Sequence, residues 1–264
     1  MPLFAESHNA VKSCYDAVKI PGKNESVQKE LFVFIDQTTP FDDSLKSLLI
    51  QNAIAFVQPT NAFSVAKFSA FIQGNYAGVV TSGKLDWPMP EAQKADTSKP
   101  LLQGYEKCMK SQLGYSKKLL TDSINQTFGA SSANIAKSDI LKSFSELAKN
   151  VVKPSKAKTK TVLIASDMLE NSSITSFYAN NGVRKIDPAT EIKKVEAAGL
   201  LADFGGAKVY VLGSGIIADN GQNKNSYRDP KTMQALNDFW KLYFQKSNAK
   251  LIEFGQPALL GKVE

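Results

Sequence analysis

Apolar residues follow two patterns along this chain, and the two patterns alternate. Continuous apolar runs at 31–35 and 161–166 predict strands that are buried on both faces of a parallel sheet. Apolar residues at helical spacing between such runs predict amphipathic helices. The predicted strands are 31–35, 62–71, 76–85, 161–166, 209–212 and 250–254, and the predicted helices are 9–19, 41–57, 101–128 (with a candidate break at Gly114), 138 or 139 to 152, 188–204 and 230–245.

The order of these elements predicts the fold class. Alternating strands and helices favour a doubly wound α/β fold, with a mostly parallel central sheet and helices on both faces. Strands 62–71 and 76–85 flank a Gly-Asn turn, which predicts one antiparallel hairpin at the edge of the sheet. The length of 264 residues suits one such domain or two small ones. We expect an irregular leader over 1–30 and one domain over 31–264.

The charge balance is mildly basic, with 32 Lys and Arg residues against 25 Asp and Glu and a net charge of +7. A basic surface attracts nucleic acid, anionic lipid or an acidic protein. The most basic segment, 153–160, lacks the aromatic partners of a nucleic-acid patch, so we interpret it as a solvated loop that enters a strand. No run of about 18 apolar residues occurs, and no membrane span is predicted.

Cysteine and histidine are scarce, which limits the chemistry. The chain has two cysteines, Cys14 and Cys108, and one histidine, His8. This set nearly excludes a zinc site, and it leaves a serine or cysteine nucleophile without a base in the predicted domain. In an exported protein the cysteines would form one disulfide that ties the leader to the 101–128 helix, whereas in the cytosol both would be reduced. The cysteine pair and the Leu-Phe-Ala start at 3–5 favour an exported protein.

Aspartates follow two of the predicted strands. Asp36 comes directly after strand 31–35, and Asp167 comes directly after strand 161–166. Ligands of open α/β sheets bind at the carboxyl ends of the strands, and oxygen ligands suit hard divalent ions such as Mg²⁺, Mn²⁺ and Ca²⁺. Thr38 adds a hydroxyl to this candidate site. The alternative is that both aspartates only cap their own loops.

These segments resemble a known family. Residues 36–40, Asp-Gln-Thr-Thr-Pro, are similar to the Asp-x-Ser-x-Ser opening of the von Willebrand factor A family, in a bacterial type of member. The apolar strand that ends in Ser-Asp at 161–167, the strand at 206–215 and the aromatic helix at 239–244 resemble later parts of that fold. The resemblance covers roughly residues 30–260. It implies a Rossmann-like sheet with a metal-ion-dependent adhesion site.

The resemblance also implies the ligands of that site. Asp36 corresponds to the first aspartate, Thr38 to the first hydroxyl and Asp167 to the later aspartate. Pro40 stands at the second hydroxyl position and has no side-chain oxygen, so the site is incomplete. The nearest matches to the middle-loop threonine are Ser131 and Ser132.

The predicted function is a non-catalytic module that binds a protein partner through the loops at the carboxyl ends of the strands, with Mg²⁺ or another divalent cation. One alternative is a Mg²⁺-dependent phosphoryl-transfer enzyme that uses Asp36 and Asp167. Another is a basic nucleic-acid-associated module, which is the less favoured partner class. Residues 213–215, Gly-Ser-Gly, lack the third glycine of a dinucleotide motif, so no small-molecule cofactor is predicted.

Overall fold

The computed structural model describes residues 9–22, 26–72, 75–130, 138–179, 182–216 and 229–264. The strands are β1 (Lys29–Asp36), β2 (Ala62–Ile72), β3 (Asn75–Lys84), β4 (Thr159–Ala165), β5 (Tyr178–Ala179), β6 (Gly182–Val183), β7 (Ala207–Leu212) and β8 (Ala249–Phe254). The helices are α1 (Cys14–Ala17), α2 (Asp43–Ala55), α3 (Glu91–Ala95), α4 (Lys99–Gly129), α5 (Ile140–Leu147), α6 (Pro188–Ala197) and α7 (Pro230–Lys246), and a π-helical turn (Ala148–Val152) continues α5.

A six-stranded sheet forms the centre of the molecule, in the order β3-β2-β1-β4-β7-β8. Strand β1 pairs in parallel with both β2 and β4, and β7 pairs in parallel with β4 and β8. Only the edge pair of β2 and β3 is antiparallel within this sheet. The predicted doubly wound α/β fold with one edge hairpin is therefore confirmed. The chain leaves β1 in one direction through β2 and β3 and returns to its other side through β4, so the strand order reverses between β1 and β4.

Two apolar layers cover the faces of the sheet, because alternate residues of each strand point to opposite sides. Phe32 and Phe34 of β1 face a layer that α5, α6 and α7 complete. Leu31, Val33 and Ile35 face the other layer, which contains residues of α2, α4 and the segment after β8. This double cover explains why the sequence of β1 is apolar without alternation.

Two helices differ from the sequence prediction, one in where it ends and the other in having no break. The helix predicted over 188–204 stops at Ala197, because Gly199 adopts a positive φ of 65° and its N–H bonds to Glu196 while the N–H of Leu200 bonds to Val195. This is a Schellman stop. Helix α4 runs unbroken through the candidate break at Gly114. A side chain there would meet no atom within 4 Å, so packing does not require a glycine at this position. Within the described ranges, no helix has the length and apolar character needed to cross a membrane.

A disulfide joins the N-terminal segment to the rest of the molecule. Cys14 of α1 is bonded to Cys108 of α4, so the disulfide predicted for an exported protein is present. The Tyr15 and Tyr105 rings pack beside it, with centroids 5.0 Å apart, and both hydroxyls donate to the carbonyl of Trp87. Residues 9–22 are thus fixed against α4 by a covalent bond and by packing.

Candidate functional site

The two strand-end aspartates lie next to each other at the carboxyl edge of the sheet. Asp36 is the last residue of β1, and Asp167 follows β4 by two residues. The parallel register pairs Ile35 with Ala165, so the next residues, Asp36 and Ser166, leave the sheet side by side. This point is where the strand order reverses, the usual place for a ligand in an open α/β sheet.

The Asp36 carboxylate is fully buried and accepts hydrogen bonds at both oxygens. Its Oδ1 accepts the Thr38 N–H at 2.8 Å and the Thr38 hydroxyl at 2.6 Å. Its Oδ2 accepts the Ser166 hydroxyl at 2.7 Å. The first two bonds close an Asx-type turn after β1, and the third connects the end of β1 to the end of β4.

The Asp167 carboxylate is buried as well, with 4% of the residue exposed. Its Oδ1 accepts the Leu169 N–H at 2.8 Å, and its Oδ2 accepts the Tyr178 hydroxyl at 2.9 Å. Its own N–H donates to the Thr39 hydroxyl at 3.1 Å. The turns after β1 and β4 therefore hold each other through Thr39 and Ser166.

Burial and mutual repulsion make this pair of carboxylates unfavourable when both are ionised. Burial raises the pKa of Asp167 to about 8, and the Asp36 charge adds to the rise, while the Leu169 N–H and the Tyr178 hydroxyl oppose it. Burial also raises the pKa of Asp36, against hydrogen bonds from Thr38, Ser166 and Thr39. Either a proton or a cation between the two side chains would relieve this repulsion.

The turn after β4 is held in an uncommon backbone conformation. Met168 adopts a positive φ of 60°, a region that costs a non-glycine residue about 1 kcal/mol or more. The buried Trp240 indole of α7 donates to the Met168 carbonyl at 2.9 Å, and the Gly215 N–H donates to the Asp167 carbonyl at 2.8 Å. Strain held by such contacts is typical of functional sites.

An ion-pair cluster anchors the segment that brings Tyr178 to the site. Arg184 forms an ion pair with the buried Glu191 of α6 at 2.8 Å and lies over the Phe177 ring, 5.6 Å from its centroid. The Thr175 hydroxyl donates to the same carboxylate at 2.7 Å. Burial opposes ionisation of Glu191, but the hydrogen bonds from Thr175, Arg184 and Lys194 outweigh it and lower the pKa of Glu191.

The structure brings together three of the residues predicted from the sequence: Asp36, Thr38 and Asp167. The predicted Ser131 and Ser132 lie outside the described residues. Pro40 is exposed and offers no side-chain oxygen. In the described part of the chain, no group of three or more His, Cys, Asp or Glu side chains is placed to hold a metal. Any cation here would therefore depend on hydroxyl and water oxygens as well as the two carboxylates.

Sequence reasoning missed three hydroxyl residues that complete the site: Thr39, Ser166 and Tyr178. Ser166 had a signal, since it stands in the Ser-Asp end of the 161–167 run, and Thr39 stands in the 36–40 motif. Tyr178 had none, because it lies in a two-residue strand outside every periodic segment. Thr39 and Ser166 reach the aspartates because the strand register places the turns after β1 and β4 side by side, and Tyr178 reaches Asp167 through the packing of its loop.

The glycine loop after β7 has a packing explanation. Gly213 adopts a φ of 99°, and a side chain there would meet the Phe41 ring at 2.6 Å. Ser214 is buried, and its hydroxyl donates to the Gly255 carbonyl. These two residues therefore allow the loop after β7 to pack closely against Phe41 and Gly255.

Comparison with known proteins gives no family for this chain. No family model matches the sequence, and no curated protein matches it.

Proposed function

We propose that the protein is a non-catalytic protein-binding module of the von Willebrand factor A type that holds Mg²⁺ or a similar divalent cation between Asp36 and Asp167. One observation carries the proposal. Two buried carboxylates, joined through Thr39 and Ser166, meet at the point of the carboxyl edge where the strand order reverses. A pair of this kind is costly to keep without a positive partner or a proton.

The donor groups suit a hard cation. Carboxylate and hydroxyl oxygens are the ligands that Mg²⁺, Mn²⁺ and Ca²⁺ prefer, and the residues that would hold the ion are Asp36, Asp167 and Thr38. All four carboxylate oxygens already accept protein hydrogen bonds. The Thr38 and Tyr178 hydroxyls would therefore have to turn away from the carboxylates when an ion enters. When bound, the cation would offer an open coordination position to an oxygen of the partner.

The surroundings of the pair support recognition of a protein. Gln37 and Thr38, which follow Asp36, are partly exposed, and segment 171–174, Asn-Ser-Ser-Ile, which follows the turn after β4, is partly to fully exposed. Segments of this kind, carried on a rigid sheet edge, commonly determine binding specificity. Specificity would then come from these loops, and the cation would supply a common anchor.

Calorimetric titration of the chelator-treated protein with MgCl₂ or MnCl₂ tests the cation. We expect saturable binding to the wild type and to Asp96→Asn, a control at an exposed aspartate, and no binding to Asp36→Asn. If neither metal binds to the wild type, the proposed cation site is wrong. If the immobilised wild-type protein still captured a protein partner in the presence of chelator, the interface would not depend on a metal.

An assay of phosphatase and phosphodiesterase turnover, with and without Mg²⁺, tests whether the protein has catalytic activity. We expect no metal-dependent turnover. Turnover that Asp36→Asn abolishes and Asp96→Asn retains would instead assign the two aspartates to phosphoryl transfer.

A further inference from the structure

A row of lysines lies at the opposite, amino edge of the sheet. Lys29 begins β1, Lys158 directly precedes β4, and Lys208 and Lys250 are second in β7 and β8. Lys156 precedes them in the loop that enters β4. We call these five residues the amino-edge lysines.

The strand register places Lys208 beside Lys250 and places Lys29 and Lys158 two to three residues closer to the amino edge. Lys29 pairs with Thr159, the residue after Lys158, and Lys208 pairs with Lys250. The Lys158 N–H donates to the Val27 carbonyl at 3.1 Å, so β4 remains aligned with β1 before either strand begins. Since neighbouring strands are about 4.8 Å apart, the four strand ends span roughly 15 Å.

The amino-edge lysines are not neutralised by ion pairs within the described residues. Four of them are exposed and Lys208 is half-buried. Two acidic residues at this edge are already engaged, since Asp203 pairs with Lys153 at 3.0 Å and Glu30 accepts the Ser155 hydroxyl. Glu264 also lies here, where its carbonyl accepts the Thr161 hydroxyl. The positive charges outnumber the negative ones across a broad surface.

We propose that the amino-edge lysines bind the anionic headgroups of a phospholipid bilayer. The row follows strand ends rather than a groove, which fits a planar array of phosphates. Lysine attracts phosphate as a point charge, whereas nucleic-acid recognition favours the bidentate guanidinium of arginine and stacking aromatic residues. The five positions hold no arginine, and segment 153–160 holds no aromatic residue. The disulfide is typical of oxidising compartments, which also favours a membrane surface over nucleic acid.

This attachment is independent of the cation proposal and would orient the molecule. The amino and carboxyl edges are opposite ends of the same parallel strands, so a bilayer at one edge leaves Asp36 and Asp167 facing away from it. Binding through these lysines would be electrostatic and would weaken as salt rises, because the Debye length shortens from about 10 Å at 0.1 M to about 3 Å at 1 M.

Flotation with vesicles tests the proposal. The wild type is expected to float with vesicles of phosphatidylcholine and phosphatidylglycerol, to stay behind with phosphatidylcholine alone, and to detach as NaCl rises. The triple variant Lys29→Gln, Lys156→Gln, Lys158→Gln is expected to lose on the order of a hundredfold in partitioning, at about fivefold for each lysine near an anionic surface. Lys250→Gln alone, on the exposed edge strand, is expected to lose about fivefold.

A matched control distinguishes an effect of the amino-edge lysines from an effect of the net charge. Lys110→Gln, Lys193→Gln, Lys241→Gln removes the same charge from exposed positions on three helices, and it is expected to bind nearly as well as the wild type. Circular dichroism of each variant establishes that it is folded. Equal loss in the control, no preference for anionic vesicles, or displacement from vesicles by duplex DNA at equal phosphate would each overturn the proposal, and the last would assign the edge to nucleic acid.

Discussion

Replacing Asp167 with asparagine should flatten the pH dependence of stability. Asparagine has nearly the same shape, so its oxygen can still accept the Leu169 N–H and its amide can donate to the Tyr178 hydroxyl. The substitution removes the ionisable group whose pKa burial raises from 3.8 to about 8, and it removes the neighbour that repels Asp36.

The direction of this pH dependence follows from the thermodynamic linkage between proton binding and folding. An acid with a higher pKa in the folded than in the unfolded chain binds its proton more tightly when folded. Its contribution to stability is complete at pH values below its pKa in the unfolded chain. That contribution is lost as the pH rises through its pKa in the folded chain. For Asp167 the window is pH 3.8 to about 8. Within it the free energy of unfolding falls by about 1.4 kcal/mol per pH unit, or about 3 kcal/mol from about pH 5 to pH 7.

Urea unfolding at a series of pH values, with chelator present, measures this slope. Glu170 also has a pKa raised by burial, to about 8, and contributes a decline of the same sign, so the informative quantity is the difference between the wild type and Asp167→Asn. We expect the variant to be at least as stable as the wild type at pH 7. The exposed control Asp96→Asn should keep the wild-type slope. A variant as steep as the wild type would refute the assignment of the slope to Asp167.

Three further substitutions test the contacts around the site and the core. Tyr178→Phe removes the hydroxyl that stabilises the Asp167 carboxylate, so the Asp167 pKa should rise further in a carbon-13 NMR titration; an unchanged value would contradict the bond. Arg184→Gln removes one cationic partner of the buried Glu191, which keeps its bonds to Lys194 and Thr175, and should cost about 2 kcal/mol of unfolding free energy in urea; a loss within error would contradict this ion pair. Phe144→Ala, at the centre of an aromatic cluster, should cost about 4 kcal/mol, whereas a cost below about 1 kcal/mol would mean that the cluster collapses around the gap.

Much of the fold could be predicted because its central strands are buried on both faces. Such strands leave a continuous apolar run, which is why β1 and β4 were found close to their observed ends. The stop of α6 was misplaced because Gly199 and Gly205 are both plausible stops, and only the bonds at Gly199 distinguish them. The small hairpin of β5 and β6 was missed because two-residue strands carry no periodic pattern.

The candidate site was predictable in position but not in its contacts. Aspartates after the parallel strands β1 and β4 must meet at the carboxyl edge once those strands are neighbours. Which hydroxyls reach them depends on register and on loop packing. Tyr178 lies on a segment that Arg184 anchors to Glu191 of α6. The Tyr178–Asp167 bond joins residues only 11 apart, but no periodic pattern predicts the irregular loop that brings them together.

Anomalous diffraction from crystals grown with MnCl₂ would locate the proposed cation. We expect a peak between the Asp36 and Asp167 carboxylates, within bonding distance of Thr38. A wild-type crystal without a peak there, while both carboxylates keep their hydrogen bonds to Thr38, Ser166 and Tyr178, would contradict the proposed cation site and leave the pair as a structural element of the sheet edge.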